Sequence, residues 1–155
     1  MQTMRHANAP RSMARRAQYH LLLVERAMRH AIPTENIKLK RAYEPPSSSD
    51  GKRVLVDRLW PRGVKKTHAK IDEWMKDIAP STELRKWFGH DPELWPEFQD
   101  RYAAEVRQHP EQLDHLRSLA REGPLTLVFA AHDEAHNDAV VLRDLILGRR
   151  THKHP

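Results

Sequence analysis

The fold is decided by one stretch, RVLVDRLWPRG, which occupies residues 53–63. It contains Val54–Val56, an apolar run with β-branched ends, which predicts a strand buried on both faces. Polar residues follow at once, and Pro61 and Gly63 then force a turn. In open α/β sheets, ligands bind beyond the carboxyl ends of the strands. The stretch therefore predicts a central strand with a functional site at its end.

Two further segments have the pattern of strands. Residues 125–131 form a second apolar run after Pro124, and residues 37–43 alternate between apolar and basic side chains. The loop at 44–52 is short for a parallel crossover, so the first strand either pairs antiparallel with the central strand or lies apart from it. Helical patterns separate the central strand from the last one. The predicted fold class is α/β, a small parallel or mixed sheet of about three strands with helices packed on it.

Apolar spacing and capping residues predict the helices. A short helix is predicted at about residues 70–79, with one apolar face. That face is formed by Ile71, Trp74, Met75 and Ile78. Ser81 is expected to cap a second helix over Thr82–Phe88, which Gly89 ends. Later helices are expected from about Pro96, from Pro110, and after residue 137 up to about Leu147.

Charge and composition divide the 155 residues into three parts. Residues 1–36 carry six arginines and two acids and are predicted to be an extension, disordered to residue 12 and helical over 13–31. This extension is either dispensable or an organelle transit peptide, and its apolar run is too short to span a membrane. Residues 37–148 are predicted to form one α/β domain, and residues 149–155 a basic tail. The extension carries +4 and the tail carries +3, which together exceed the net charge of +6 by one, so residues 37–148 carry −1.

The first polar cluster follows the central strand. Arg58 and Arg62 can bind a phosphate or a carboxylate in a fork, and Trp60 is placed to line the site. Asp57 is predicted to act as a catalytic base or to hold Arg58 in place. The alternative is an internal salt bridge with a tight turn, in which Trp60 belongs to the core.

The second polar cluster, residues 132–137, follows the last strand and should lie at the same edge of the sheet. His132 and His136 can titrate near neutrality and are predicted to transfer protons, while Asn137 is predicted to bind ligand. Asp133 is expected to cap the last helix. A pair of histidines four residues apart is weak evidence for metal, so no metal site is predicted.

A third group comprises Ser81 and Arg85, which can line the site and supply another cation. The alternative is a helix cap and a surface arginine. The sequence contains no nucleophile elbow, no Walker loop and no dinucleotide-binding fingerprint. It has no cysteine, which excludes disulfides, thiolate catalysis and cysteine-ligated metals. No cofactor is predicted.

Several colinear motifs over residues 37–147 resemble the DUF488 family, in particular its short YeaO-like branch. These are KRAY at 40–43, DGKRVLVDRLWPRG at 50–63, APSTELR at 79–85, and TLVFAA at 126–131 with His136-Asn137. The resemblance implies a bacterial-type cytoplasmic protein, but it implies no reaction. Longer members of the wider family carry a Cys-His-Arg element near the counterpart of His136-Asn137, and this cysteine-free chain cannot use the thiol.

Three functions follow as hypotheses. The first is a pocket for a small anionic ligand, either enzymatic or not, with Asp57 and His132 or His136 moving protons. The second is a nucleic-acid-associated protein whose basic tails grip phosphates together with Arg62, Lys65 and Lys66. The third is a protein–protein module that exposes tryptophans, namely Trp60, Trp87 or Trp95. No membrane association is predicted, and the oligomeric state cannot be inferred from the sequence.

Overall fold

The computed structural model describes the backbone of residues 9–149 and the side chains of residues 12–23 and 31–149. The chain divides into two compact units, Met1–Ala31 and Ile32–Pro155. The first unit contains helix α1, Ala9–His30. Disorder was predicted to residue 12, but α1 already begins at Ala9, and residues 1–8 lie outside the described part. The side chains of α1 over residues 12–23 are all exposed.

The second unit is an α/β fold, as the sequence predicts. Its strands are β1 (Ile37–Arg41), β2 (Lys52–Leu55), β3 (Glu73–Trp74) and β4 (Leu125–Phe129). Its helices are α2 (Lys66–Ala69), α3 (Thr82–Phe88), α4 (Trp95–Val106), α5 (Pro110–Glu122) and α6 (Asp138–Ile146). Short 3₁₀ turns occupy Thr34–Asn36, Ser48–Asp50, Lys76–Ile78 and Pro92–Leu94.

The described strands form one parallel sheet in the order β1-β4-β2-β3. The count is four where about three were expected. Strand β4 lies between β1 and β2, so the first strand lies apart from the central one and does not pair antiparallel with it. Because every strand runs in the same direction, the carboxyl ends all meet at one edge. That edge carries the candidate site.

The apolar run Val54–Val56 is fully buried, which confirms the predicted central strand. Val54 and Val56 pack in the main core, together with apolar residues of α3, α4, α5 and α6. Leu55 points to the other face and joins a small cluster with Ala42 and Val128. Apolar burial on both faces explains why this strand shows no alternation of polar and apolar residues.

The helix predicted at residues 70–79 is wrong. Helix α2 ends at Ala69, and Lys70 then adopts a left-handed conformation with φ 47°. The chain continues as β3, where Trp74 pairs with Leu55. The four apolar residues of the predicted face divide between opposite faces of the sheet. Ile71 and Trp74 pack on the small cluster, whereas Met75 and Ile78 pack on the main core.

The helix boundaries elsewhere follow their capping residues. The Ser81 hydroxyl accepts a hydrogen bond from the Leu84 amide, and Gly89 ends α3 with φ 54°. Helix α5 begins at Pro110, as predicted, and is followed by Gly123. The expectation that Asp133 caps the last helix is wrong. Asn137 is the N-cap of α6, and its side chain accepts from the Val140 amide at 3.1 Å.

Candidate functional site

A cavity of about 680 Å³ opens at the carboxyl edge of the sheet. Its wall is formed by the segments that follow β1, β2 and β4, and by the segment around α3. Predicted strand residues Ala130 and Ala131 lie beyond the end of β4 and line the cavity instead. We refer to this space as the strand-end cavity. It brings the first and second polar clusters together, because both follow neighbouring parallel strands.

Eight of the nine site residues predicted from the sequence line the strand-end cavity. They are Asp57, Arg58, Trp60, Arg62, Arg85, His132, His136 and Asn137. Arg58 and His136 therefore lie at the same edge of the sheet and line one cavity. Their roles stay predictions, since shared location does not define chemistry.

Asp57 makes different contacts from those expected. Its Oδ2 accepts a hydrogen bond from the Ala130 amide at 2.8 Å, which ties the end of β2 to the end of β4. Arg58 does not pair with it, and instead donates to the carbonyls of Pro80 and Ala79 at 3.3 and 3.4 Å. The backbone thus fixes the Arg58 guanidinium.

The main partner of Asp57 is Asp138, at the start of α6, whose carboxyl group is hydrogen-bonded to that of Asp57. Burial raises the pKa of both groups, and the neighbouring Asp57 charge raises the pKa of Asp138 further. The two groups share one hydrogen bond, so a proton retained here belongs to the pair and not to either residue. We call these two residues the carboxyl pair.

His136 is held by Asp133, whose Oδ2 lies 2.8 Å from Nδ1. A carboxylate only accepts, so Nδ1 carries the proton, and in the neutral ring Nε2 is an acceptor. Asp133 also accepts from the Ala135 and His136 amides, which shapes the loop and replaces the helix-capping role. The hydrogen bond from His136 keeps the pKa of Asp133 low. The His136 ring packs edge-on against Trp95, with centroids 5.1 Å apart.

His132 has the opposite tautomer. Arg41 at the end of β1 places Nη2 3.2 Å from its Nδ1. A guanidinium only donates, so Nδ1 accepts and a neutral ring carries its proton on Nε2. The same Arg41 donates to the Ala131 and Ala130 carbonyls at 2.9 and 3.4 Å. The geometry therefore makes His136 the better candidate base and His132 a hydrogen-bond donor.

Ser81 is the one predicted site residue that is not part of the cavity wall. Its hydroxyl donates to Glu105 at 2.6 Å, and its amide donates to the same carboxylate at 2.8 Å. Glu105 thus occupies the N-terminus of α3, where free amides would otherwise attract an anion. At the start of α6, the Ala139 amide likewise donates to the side chain of Asp138. Protein carboxylates therefore fill both helix N-termini near the cavity.

Metal binding finds little support in the geometry. Among the described side chains, those of residues 12–23 and 31–149, no group of three or more histidines or acids is arranged to hold a metal ion. The acids near the cavity accept hydrogen bonds from the Ala130 amide and from His136, and Asp57 and Asp138 bond to each other. Nothing in this arrangement suggests a cofactor.

One family profile matches residues 36–154, and it is described as the inactive DUF488-N3 subclade, DUF488-N3i. The match covers the strand-end cavity and the sheet that builds it. The chain belongs to the DUF488-N3i family. Helix α1 precedes the matched part. The resemblance to DUF488 inferred from the sequence motifs is thereby confirmed, within a subclade described as inactive.

Relatives of this DUF488-N3i chain carry no functional name. It is 49% identical over 109 residues to the uncharacterized protein YeaO of Escherichia coli K12, covering 70% of this chain and 95% of YeaO. It is 42% identical over 113 residues to the uncharacterized proteins Mb3100c of Mycobacterium bovis and Rv3073c of Mycobacterium tuberculosis. Those matches cover 73% of this chain and 95% of each relative. No solved structure matches the chain significantly.

Sequence reasoning missed Asp138 and Arg41 in this DUF488-N3i site. Asp138 reads as an ordinary acid in the first turn of a helix, and Arg41 as one more basic residue of an alternating strand. The available signal was positional, since Arg41 ends β1 and Asp138 begins α6 at the functional edge. Their partners lie far away in sequence, which no local pattern reveals.

The structure also bears on the predicted exposed tryptophans and on membrane association. Trp60, Trp87 and Trp95 are each partly buried, so the predicted exposed tryptophans are wrong. Trp60 donates to the Val64 carbonyl at 2.6 Å, and Trp87 lies under Arg101. None of the helices in the described range 9–149 is long and apolar enough to cross a membrane.

Proposed function

We propose that the strand-end cavity binds a small anion through a phosphate or carboxylate group. The observation that carries this proposal is the presence of three arginines on its wall, Arg58, Arg62 and Arg85. A guanidinium binds either anion in a two-pronged geometry, which a lysine ammonium does not provide. The helix N-termini are occupied by carboxylates, so recognition of the anion falls to these side chains.

The charge balance of the wall supports an anionic ligand. Burial raises the pKa of both members of the carboxyl pair, which favours their neutral forms, and His136 partly satisfies the charge of Asp133. The three arginine charges are therefore only partly balanced by acids on the wall. The apolar part of the wall lowers the local dielectric and strengthens the remaining attraction.

The three arginines differ in how firmly they are held. Arg58 is partly buried and is held by two backbone carbonyls, so it is preorganised. Arg62 and Arg85 are exposed, and neither side chain makes a hydrogen bond to the part of the chain that the structure describes. Arg85 lies close enough to Asp57 to lower its pKa against the effect of burial. Free guanidinium groups beside a fixed one suit capture of an incoming anion.

The family description favours binding over turnover. DUF488-N3i is described as inactive, and a cavity can retain ligand recognition without catalysing a reaction. The proton-transfer roles of Asp57, His132 and His136 stay predictions. Recovery of a bound ligand in unchanged form would support a binding role, whereas conversion of the ligand would support a catalytic role.

The test is a thermal-shift screen of the full chain with inorganic phosphate, acetate and small organic phosphates. A ligand at a hundred times its dissociation constant stabilises the protein by about 2.7 kcal/mol, which raises Tm by several degrees. Arg85→Ala should abolish most of the shift, because the removed guanidinium faces the cavity. The matched control is Arg107→Ala, since Arg107 is exposed and does not line the cavity. Equal shifts in the two variants would refute the proposal.

Binding to nucleic acid stays an alternative prediction. Arg62, Lys65 and Lys66 are exposed, and the basic ends it depends on are residues 1–36 and 149–155, of which 1–8 and 150–155 fall outside the described range. This alternative predicts affinity that falls steeply with salt and survives Arg85→Ala. The same pair of variants, assayed with a short duplex, therefore distinguishes the two functions.

A further inference from the structure

The wall of the strand-end cavity carries two chemically different sets of polar groups. Asp57 and Asp138 are partly buried and are fixed by backbone amides, whereas Arg62 and Arg85 are exposed. A simple anion would use only the arginines. The presence of acids beside the arginines instead suits a ligand that carries hydroxyl groups as well as an anionic group.

The carboxyl pair keeps hydrogen-bonding capacity that the protein does not use. One oxygen of Asp57 accepts from Ala130, one oxygen of Asp138 accepts from Ala139, and one bond joins the two groups. Two carboxyl groups offer up to about eight lone-pair positions, so several of them remain for a ligand. These positions accept hydrogen bonds, which the hydroxyl groups of a ligand can donate.

The rest of the wall is largely apolar and aromatic. It is formed by Leu59, Trp60, Pro61, Pro80, Phe88 and Phe98. Flat apolar surfaces of this kind pack against the C–H faces of a sugar ring or polyol chain while its hydroxyls point elsewhere. A volume of about 680 Å³ lies within the range of small-metabolite sites and exceeds what a lone phosphate needs.

We propose that the natural ligand is a polyhydroxylated anion, a sugar phosphate or a sugar acid. Its hydroxyls hydrogen-bond to Asp57 and Asp138, and its anionic group binds Arg58, Arg62 and Arg85. This inference rests on the proposed anion-binding function and names the ligand class for the same site. Phosphate and carboxylate share the arginine-binding chemistry, so the experiment includes both.

The experiment is isothermal titration calorimetry of the full chain with a series in which hydroxyls increase. The phosphate arm uses inorganic phosphate, ethyl phosphate, glycerol 3-phosphate and glucose 6-phosphate, and the carboxylate arm uses acetate and gluconate. We expect affinity to rise by about tenfold or more across each arm that binds, which is the effect of one or two good hydrogen bonds. This comparison needs no variant.

Variants then locate the effect. Asp138→Ala should remove the gain from hydroxyls while leaving affinity for inorganic phosphate within about twofold, since Asn137 still caps α6. Asp138→Asn, which retains a donor toward Asp57, should recover part of the gain. Arg85→Ala should weaken the binding of every anion in both arms, which distinguishes anion binding from hydroxyl recognition.

Each failure has a distinct meaning. If affinity is flat across the series, or if Asp138→Ala keeps the full hydroxyl gain, the ligand class is wrong while the anion site stands. If glucosamine 6-phosphate binds more than tenfold tighter than glucose 6-phosphate, the carboxyl pair recognises a cation and the hydroxyl assignment is overturned. If no anion binds, the proposed function itself fails.

Discussion

The most demanding prediction concerns Asp50, which is almost fully buried although it is charged. Its carboxylate lies 2.7 Å from Nη1 of Arg53 and 3.2 Å from Nζ of Lys40, and it accepts from the Ser47 amide at 2.9 Å. The backbone carbonyl of Asp50 also accepts from the Thr126 hydroxyl at 2.7 Å. Side chains from β1, β2 and β4 therefore converge on this residue.

Asp50→Ala should lower the free energy of unfolding by about 3–5 kcal/mol, the usual effect of removing one member of a buried ion pair. Lys40 and Arg53 should respond differently to the loss of the Asp50 carboxylate. The Lys40 side chain is 18% exposed and can be rehydrated, but the Arg53 side chain is only 4% exposed. Nη2 of Arg53 is also buried without a partner in the described part of the chain, so the variant would leave a buried guanidinium charge unpaired.

The assay is urea denaturation of the full chain followed by circular dichroism, with the loss read from the midpoint at constant m-value. Asp114→Ala is the matched control, because Asp114 forms a surface ion pair with a 75% exposed side chain and its loss should be nearly silent. The double variant Asp50→Ala/Arg53→Met should recover part of the loss, since no buried charge is then left unpaired. A loss below about 1 kcal/mol for Asp50→Ala would refute the reasoning.

Two more predictions concern groups near the strand-end cavity. Burial raises the pKa of Asp57 and Asp138, so the folded chain keeps protons that the unfolded chain releases above about pH 4, and stability falls as pH rises through this window. Asp138→Asn should reduce this dependence of stability on pH. The urea midpoint of the variant should therefore rise relative to that of the unchanged protein as pH increases from 4 to 8, and parallel pH profiles would contradict the assignment. Tyr102→Phe should cost about 1–2 kcal/mol in the same assay, because the fully buried hydroxyl donates to the Ile78 carbonyl at 2.6 Å. An unchanged midpoint would mean that this carbonyl finds another donor.

The sequence was most informative where one local pattern determines burial or capping. Val54–Val56 could be assigned to a buried strand because it lacks any polar side chain, and Ser81 to a cap because its hydroxyl bonds only three residues ahead. The polar clusters could be assigned to one edge because parallel strands share an orientation. These inferences depend on the segment itself or on the general geometry of α/β sheets.

The failures come from partners that are distant in sequence. The spacing of Ile71, Trp74, Met75 and Ile78 fits a helix face, but tertiary packing sends the first two residues to one side of the sheet and the last two to the other. Likewise, no local pattern shows that Asp138 shares a proton with Asp57. The roles of such residues depend on a fold that must already be known.

The position of β4 has a consequence for how the protein is made. Strands β1 and β2 emerge first during synthesis, but among the described strands β1 pairs with β4, and β2 pairs with β4 on one side and with the two-residue β3 on the other. The nascent chain therefore holds apolar strand segments without their main partner until residue 129 has left the ribosome. Such non-local pairing slows folding and exposes strand edges to aggregation. Truncation before β4 should thus leave an insoluble chain with no sheet beyond the short β2–β3 pair, and this domain should depend on chaperones more than its small size suggests.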